Sequence, residues 1–206
     1  MSNKTSKLIY ISADYDENNG DHIVVEQLKE WVKSNKYSID FCDAAEVSGN
    51  SISTKSNDCR ICDLKAEFNA QINHSSIVIF IIGDHTKDRV AGQQCNRNIS
   101  NSKYECTPYK QNSNGLKECK YSNTPIIKSD VDVGYINQLS YLQHEFEQAR
   151  RKNKKIVILY NSSRKESNWL PDYMKDYEEN AIAFWIYNET GNKIGNYQAV
   201  KDALDF

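Results

Sequence analysis

Ile77-Val78-Ile79-Phe80-Ile81-Ile82 is apolar at every position, with no alternation between water-facing and core-facing residues. A strand exposed on one face alternates, so an unbroken run of this length predicts a central parallel strand covered on both sides. Reading backwards, Leu64, Phe68 and Ile72 recur at a spacing of four and predict a helix. Tyr37 to Cys42 alternates like a strand near a sheet edge. Asp21 can cap a helix whose apolar stripe is Ile23, Val24, Leu28, Trp31 and Val32, and Leu8 to Ser12 predicts a first strand. Reading forwards, Leu139, Leu142, Phe146 and Ala149 share one helical arc. The strand Ile156 to Leu159, a fifth strand over Ala181 to Tyr187 and a last helix over Tyr197 to Leu204 follow. Five strands joined by helical crossovers predict a flavodoxin-like α/β fold: a mainly parallel sheet with helices on both faces and ligands bound beyond the carboxyl ends of its strands. The loops that matter then begin at Ser12, Asp43 and Gly83.

The 206 residues suit one domain, with 39% hydrophobic and 26% charged residues and a mean hydropathy of -0.73. Charge is nearly balanced, 26 Lys and Arg against 28 Asp and Glu. No positive excess exists to hold a phosphate backbone, and nucleic acid is disfavoured as a partner. Met1 to Lys7 bears lysines and no apolar h-region, and no apolar run approaches the roughly 20 residues of a membrane helix. The expectation is a cytoplasmic protein that does not enter the membrane.

One segment breaks the rhythm of the chain. Asp84 to Val133, after the third strand, is far longer than an ordinary strand-to-helix loop and rich in Asn, Ser, Gly, Lys and Cys, so it is expected to be an insertion beside the ligand edge. In a reducing compartment the six cysteines do not imply disulfides. Cys59-x-x-Cys62 has metal-ligand spacing, and Cys95, Cys106 and Cys119 offer further ligands for a zinc site; reduced, partly buried thiols are the other reading.

The helix around residue 145 carries the chemistry. At about 100° per residue, Glu145 lies just beside the apolar arc, while His144 and Glu147 are expected in solvent. Tyr141, four residues earlier, falls one turn below Glu145, so an aromatic ring and a carboxylate are expected together at the ligand crevice. His85, just after the third strand, also falls at that edge. The acidic stretch Ala13-Asp14-Tyr15-Asp16-Glu17 opposes a phosphate loop after the first strand.

Two segments are similar to the Toll/interleukin-1 receptor (TIR) domain family. Leu8 to Ser12 followed by Ala13, Asp14, Tyr15 and Asp16 resembles its first box. Ser140 to Ala149 resembles the segment in which an aromatic residue precedes a catalytic glutamate by four. Tyr141 stands where the family usually has tryptophan, and Leu139 where a serine is common. Small stand-alone bacterial forms of the Thoeris antiphage type look most similar. The resemblance implies a single TIR-like domain over residues 1–206, with residues 84–133 inserted, that uses NAD as substrate and needs no cofactor or metal. Glu145 would be catalytic, and Ser12, Ala13, Asp14, Tyr15, His85 and Tyr141 would bind substrate. The implied reaction cleaves the nicotinamide–ribose bond, releasing ADP-ribose or a cyclic or conjugated signal that activates a separate effector in antiphage defence. Self-association between TIR domains is a further implied partnership. The rival reading is a non-enzymatic TIR scaffold, for which Glu145 is dispensable.

Overall fold

A computed structural model of the chain describes residues 7–14, 21–34, 39–43, 60–90 and 139–205. Its elements follow in order: β1 (Lys7–Ser12), α1 (His22–Lys33), β2 (Ile39–Asp43), α2 (Arg60–His74), β3 (Ile77–Ile82), α3 (Tyr141–Arg151), β4 (Lys155–Tyr160), β5 (Ile182–Ala183), β6 (Trp185–Tyr187), β7 (Lys193–Gly195) and α4 (Tyr197–Ala203). The sheet runs β2-β1-β3-β4-β5 with every pairing parallel, Ile9 opposite Ile77 and Ile77 opposite Lys155. Four strands form its body. β5 adds two residues at one edge, through Leu159 and Tyr160.

The unbroken apolar run at Ile77–Ile82 is buried at all six positions, and its period of two divides the core. Ile77, Ile79 and Ile81 join Ile9, Ile11, Val157 and Leu159 on one face, under Val24, Leu28 and Trp31 of α1 and Val200 of α4. Val78, Phe80 and Ile82 join Tyr10, Ile158 and Tyr160 on the other, under Leu64, Phe68 and Ile72 of α2 and Phe146 and Ala149 of α3. Helices therefore cover both faces of a parallel sheet. No helix among the described residues is long and apolar enough to cross a membrane.

Four expectations are corrected. Ala181 to Tyr187 is not one strand: only Ile182–Ala183 pairs with the sheet, and Trp185–Tyr187 turns away to pair antiparallel with Lys193–Gly195. The break falls at Phe184, which is fully buried between the two pairings and bonds its main chain to Tyr160 and Asn196. Ile23 is 51% exposed, because Val24, Val25, Leu28 and Trp31 complete the buried stripe without it. Leu139 precedes α3: Ser140 is the N-cap, its hydroxyl accepting from the Gln143 amide. Asp21 occupies the N-cap position of α1, yet its side chain makes no cap bond and turns to other partners.

Of the segment Asp84 to Val133, expected to be an insertion, residues 84–90 form a turn and a 3-10 turn over Thr86–Asp88, and the rest lies outside the described residues. Cys59, Cys95, Cys106 and Cys119 lie there too. Among the described residues no group of three or more His, Cys, Asp or Glu is placed to hold a metal.

Phe146 is fully buried against the rings of Phe80, Tyr173 and Tyr177 at centroid distances of 5.6, 5.6 and 5.4 Å. Phe146→Ala is expected to lower stability by about 3–5 kcal/mol in urea unfolding, whereas truncating the exposed Ile186 to alanine changes it by about 0.5 kcal/mol or less.

Candidate active site

The candidate site is built where β1 ends and α3 begins. Ser12 is the last residue of β1 and is buried, and Tyr10 points to the same side of the strand. Across from them, α3 presents Glu145, only 2% exposed. Burial pushes its carboxyl up to about 7, against the opposing effects of hydrogen bonding from Ser12 and Tyr10 and of the positive charge of Lys65. Glu145 Oε2 has no hydrogen-bond partner among the described residues. A carboxyl group at this depth, with one oxygen unmatched, is held near neutral pH between its two protonation states. That is the condition in which an acid or a base works efficiently.

Two further expectations fail on this helix. His144 is 2% exposed and hydrogen-bonded through Nε2 to Asn69 Oδ1 at 2.9 Å. The apolar arc was read as the whole buried face, but α2 brings polar residues to the seam, so α3 buries a wider arc than its apolar residues mark. Gln148 continues the seam, donating to Asn73 Oδ1 at 2.8 Å, and Lys154 Nζ closes it on the carbonyls of Asn73 and Ser75. Glu147 is half-buried rather than fully in solvent, 3.8 Å from Arg150.

Tyr141 is partly buried and meets Phe68 edge to face at 5.7 Å, with Lys65 Nζ 5.6 Å from its ring centre. Its ring therefore packs on α2, one turn from the carboxylate. Ala13 packs against the opposite core, beside α1. Asp14 pairs with Arg89. His85 is exposed, with Nε2 3.6 Å from Asp84, and is not among the groups acting on Glu145. Tyr15 lies outside the described residues. Ser12 and Glu145 are thus brought together, Tyr141 stands close by, and Ala13, Asp14 and His85 belong to the neighbouring loops.

Sequence reading missed the burial of Lys65 and the side-chain chain around Asp21. Lys65 is fully buried on α2; the sequence signal was its spacing of four from Asn69 and again to Asn73, a polar stripe beside the apolar one. Asp21 is 1% exposed, accepting from Asn161 Nδ2 at 2.9 Å, and Asn161 Oδ1 in turn accepts from Trp185 Nε1 at 2.7 Å. A side chain at Gly83 would place Cβ 2.5 Å from Asp21 Oδ1, so glycine there lets the carboxyl close over the end of β3. Burial pushes Asp21 up to about 7; the Asn161 bond opposes, the charges of Asp14 and Asp84 add, and Arg89 opposes. No protein-family model matches the sequence, and no curated protein does either. The fold and site define the chain's class: an α/β protein with a buried glutamate of raised pKa at the carboxyl edge of a parallel sheet.

The raised values give stability a definite pH dependence. Glu145 is neutral in both states below its ordinary value of 4.5. From there to about 7 it is charged only when unfolded, so unfolding releases a proton and stability falls as pH rises. Above 7 the loss is complete, on the order of 3 kcal/mol. Glu145→Gln removes this contribution. Urea midpoints at pH 5 and pH 8 are expected to fall less in the variant than in the parent, and parallel falls would mean that Glu145 keeps its ordinary value.

Proposed function

We propose that the chain is a flavodoxin-like TIR-type enzyme that cleaves the nicotinamide–ribose bond of NAD. The observation that carries the reading is Glu145: a carboxyl buried at the carboxyl edge of the sheet beside Ser12 and Tyr10, with Oε2 unmatched. The strand order β2-β1-β3-β4-β5 supports the same reading, since ligands of doubly wound sheets bind where strand order reverses, here between β1 and β3. An aromatic residue one helical turn before the glutamate supports it further.

The chemistry asks little of the protein. Nicotinamide leaves as a neutral base, and the ribose carbon develops positive charge. An ionised Glu145 stabilises that charge and holds a ribose hydroxyl, and no metal has to take part. Water as the second nucleophile gives ADP-ribose; a hydroxyl or ring nitrogen gives a cyclic or conjugated signal. The resemblance to stand-alone antiphage TIR proteins supports a signal passed to a separate effector, in the cytoplasm, with TIR–TIR contacts as part of activation. At 2% exposure Glu145 meets substrate only after its neighbours move. Tyr173, bonded to Ser140, stands close enough to feel the Glu145 charge.

Glu145→Gln is expected to abolish NAD-derived product, measured by mass spectrometry with purified protein alone and with infected-cell extract. Glu147→Gln, half-buried beside Arg150, is expected to stay within a few-fold of the parent. Because only the ionised carboxyl stabilises the cation, turnover in the parent should rise with pH through a midpoint near 7. Equal product from both variants would overturn the enzyme reading in favour of a scaffold.

A further inference from the structure

Lys65 has none of its surface exposed, and an ammonium ion there is costly unless it is paired. Its Nζ donates to the Leu139 carbonyl at 2.5 Å and lies 5.6 Å from the centre of the Tyr141 ring. Its charge also reaches Glu145. These partners are consecutive features of one segment: Leu139 stands directly before the N-cap Ser140, Tyr141 opens α3, and Glu145 follows one turn later.

A lysine that only joined two helices would serve as well at the far end of the seam, where Lys154 already binds the carbonyls closing α2. Lys65 is instead at the end that carries the carboxyl. We infer that Lys65 is a positioning residue of the Glu145 site, fastening the start of α3 through Leu139 and supplying the counter-charge for the carboxylate. The functional part of this inference rests on the reading of Glu145 as the acting group.

Among the described residues, the groups facing Glu145 come from three packed elements: Tyr10 and Ser12 from β1, Lys65 from α2, and Tyr173 from the 3-10 segment Asp172–Tyr177. Lys65 is the cation among them. The hydroxyls of Ser12 and Tyr10 favour the carboxylate without neutralising it. Lys65 adds its charge to the effect of those hydroxyls against the burial penalty, and removing it leaves desolvation less opposed. Its hold on Leu139 adds a mechanical role, because the first turn of α3 sets where Tyr141 and Glu145 stand.

The test follows the Glu145 carboxyl by carbon-13 NMR in protein labelled at glutamate, with Glu145→Gln identifying the signal. In Lys65→Met the pH at which Glu145 titrates is expected to rise by about 1, the effect of losing a nearby opposite charge, while Lys65→Arg stays near the parent. NAD turnover at pH 7 should then fall about fivefold in Lys65→Met, as the ionised fraction falls, and recover at higher pH. An unchanged Glu145 titration in folded Lys65→Met would overturn the inference, as would a Lys65→Arg variant shifted as far as methionine. If Lys65→Met does not fold, the reciprocal measurement decides. With the lysine in place, Glu145→Gln is expected to lower the pH at which the Lys65 ammonium titrates, followed by nitrogen-15 NMR, and no change would overturn the coupling. Absence of turnover in every variant, parent included, would count against the NAD reading alone, since both titrations are read without substrate.

Discussion

A strand with water on neither side has to be covered twice, and Ile77–Ile82 imposes that requirement on everything around it. Its odd-numbered residues need α1 and α4, and its even-numbered residues need α2 and α3. A parallel neighbour is reached only by crossing a face of the sheet, so connections and cover are the same elements. The carboxyl ends of β1, β3 and β4 consequently lie together, and the heads of α1 and α3 are brought to that edge.

The two helices over Phe80 meet through a polar seam rather than a purely apolar one. Asn69 faces His144, Asn73 faces Gln148, and lysines stand at both ends. Apolar packing would hold α3 on the sheet but would tolerate rotation or sliding by a fraction of a turn. Paired amides and an imidazole do not, because each misalignment strands a buried polar group at about 1–3 kcal/mol. The seam thus fixes the phase of α3, and the phase of α3 is what turns Glu145 toward Ser12 and Tyr10.

At the same edge stand two carboxyls whose burial works against their charge, Glu145 on the helix of one face and Asp21 at the head of the helix on the other. Neither position is what stability alone would select. Asp21 is braced by Asn161, itself braced by Trp185, and admitted by the missing side chain of Gly83. Glu145 has hydroxyls, a lysine and an unmatched oxygen. Asp21 Oδ1 is tied through Asn161 to Trp185, which joins the head of α1 to the segment after β4 and to β6, whereas Glu145 faces the hydroxyls of β1 and the lysine of α2. Such strain is usually retained where it serves chemistry.

The sequence by itself determined the parts that depend on local pattern. The unbroken run at Ile77–Ile82, the spacing of Leu64, Phe68 and Ile72, and the position of Glu145 beside an apolar arc were each legible, because burial on two sides, helical period and helix phase are written within a few residues. Ser12 was legible as the end of a strand. What lay between segments was not. His144 was read as solvated because periodicity sees only apolar neighbours, and a polar residue buried by a polar partner 75 positions away leaves no such mark. The depth of Glu145, the burial of Lys65 and the turn of Asp21 away from its cap were decided only when α2, β1 and the loops after β3 and β4 were brought against them. Desolvation depends on everything that surrounds a group, and most of what surrounds Glu145 is distant in sequence.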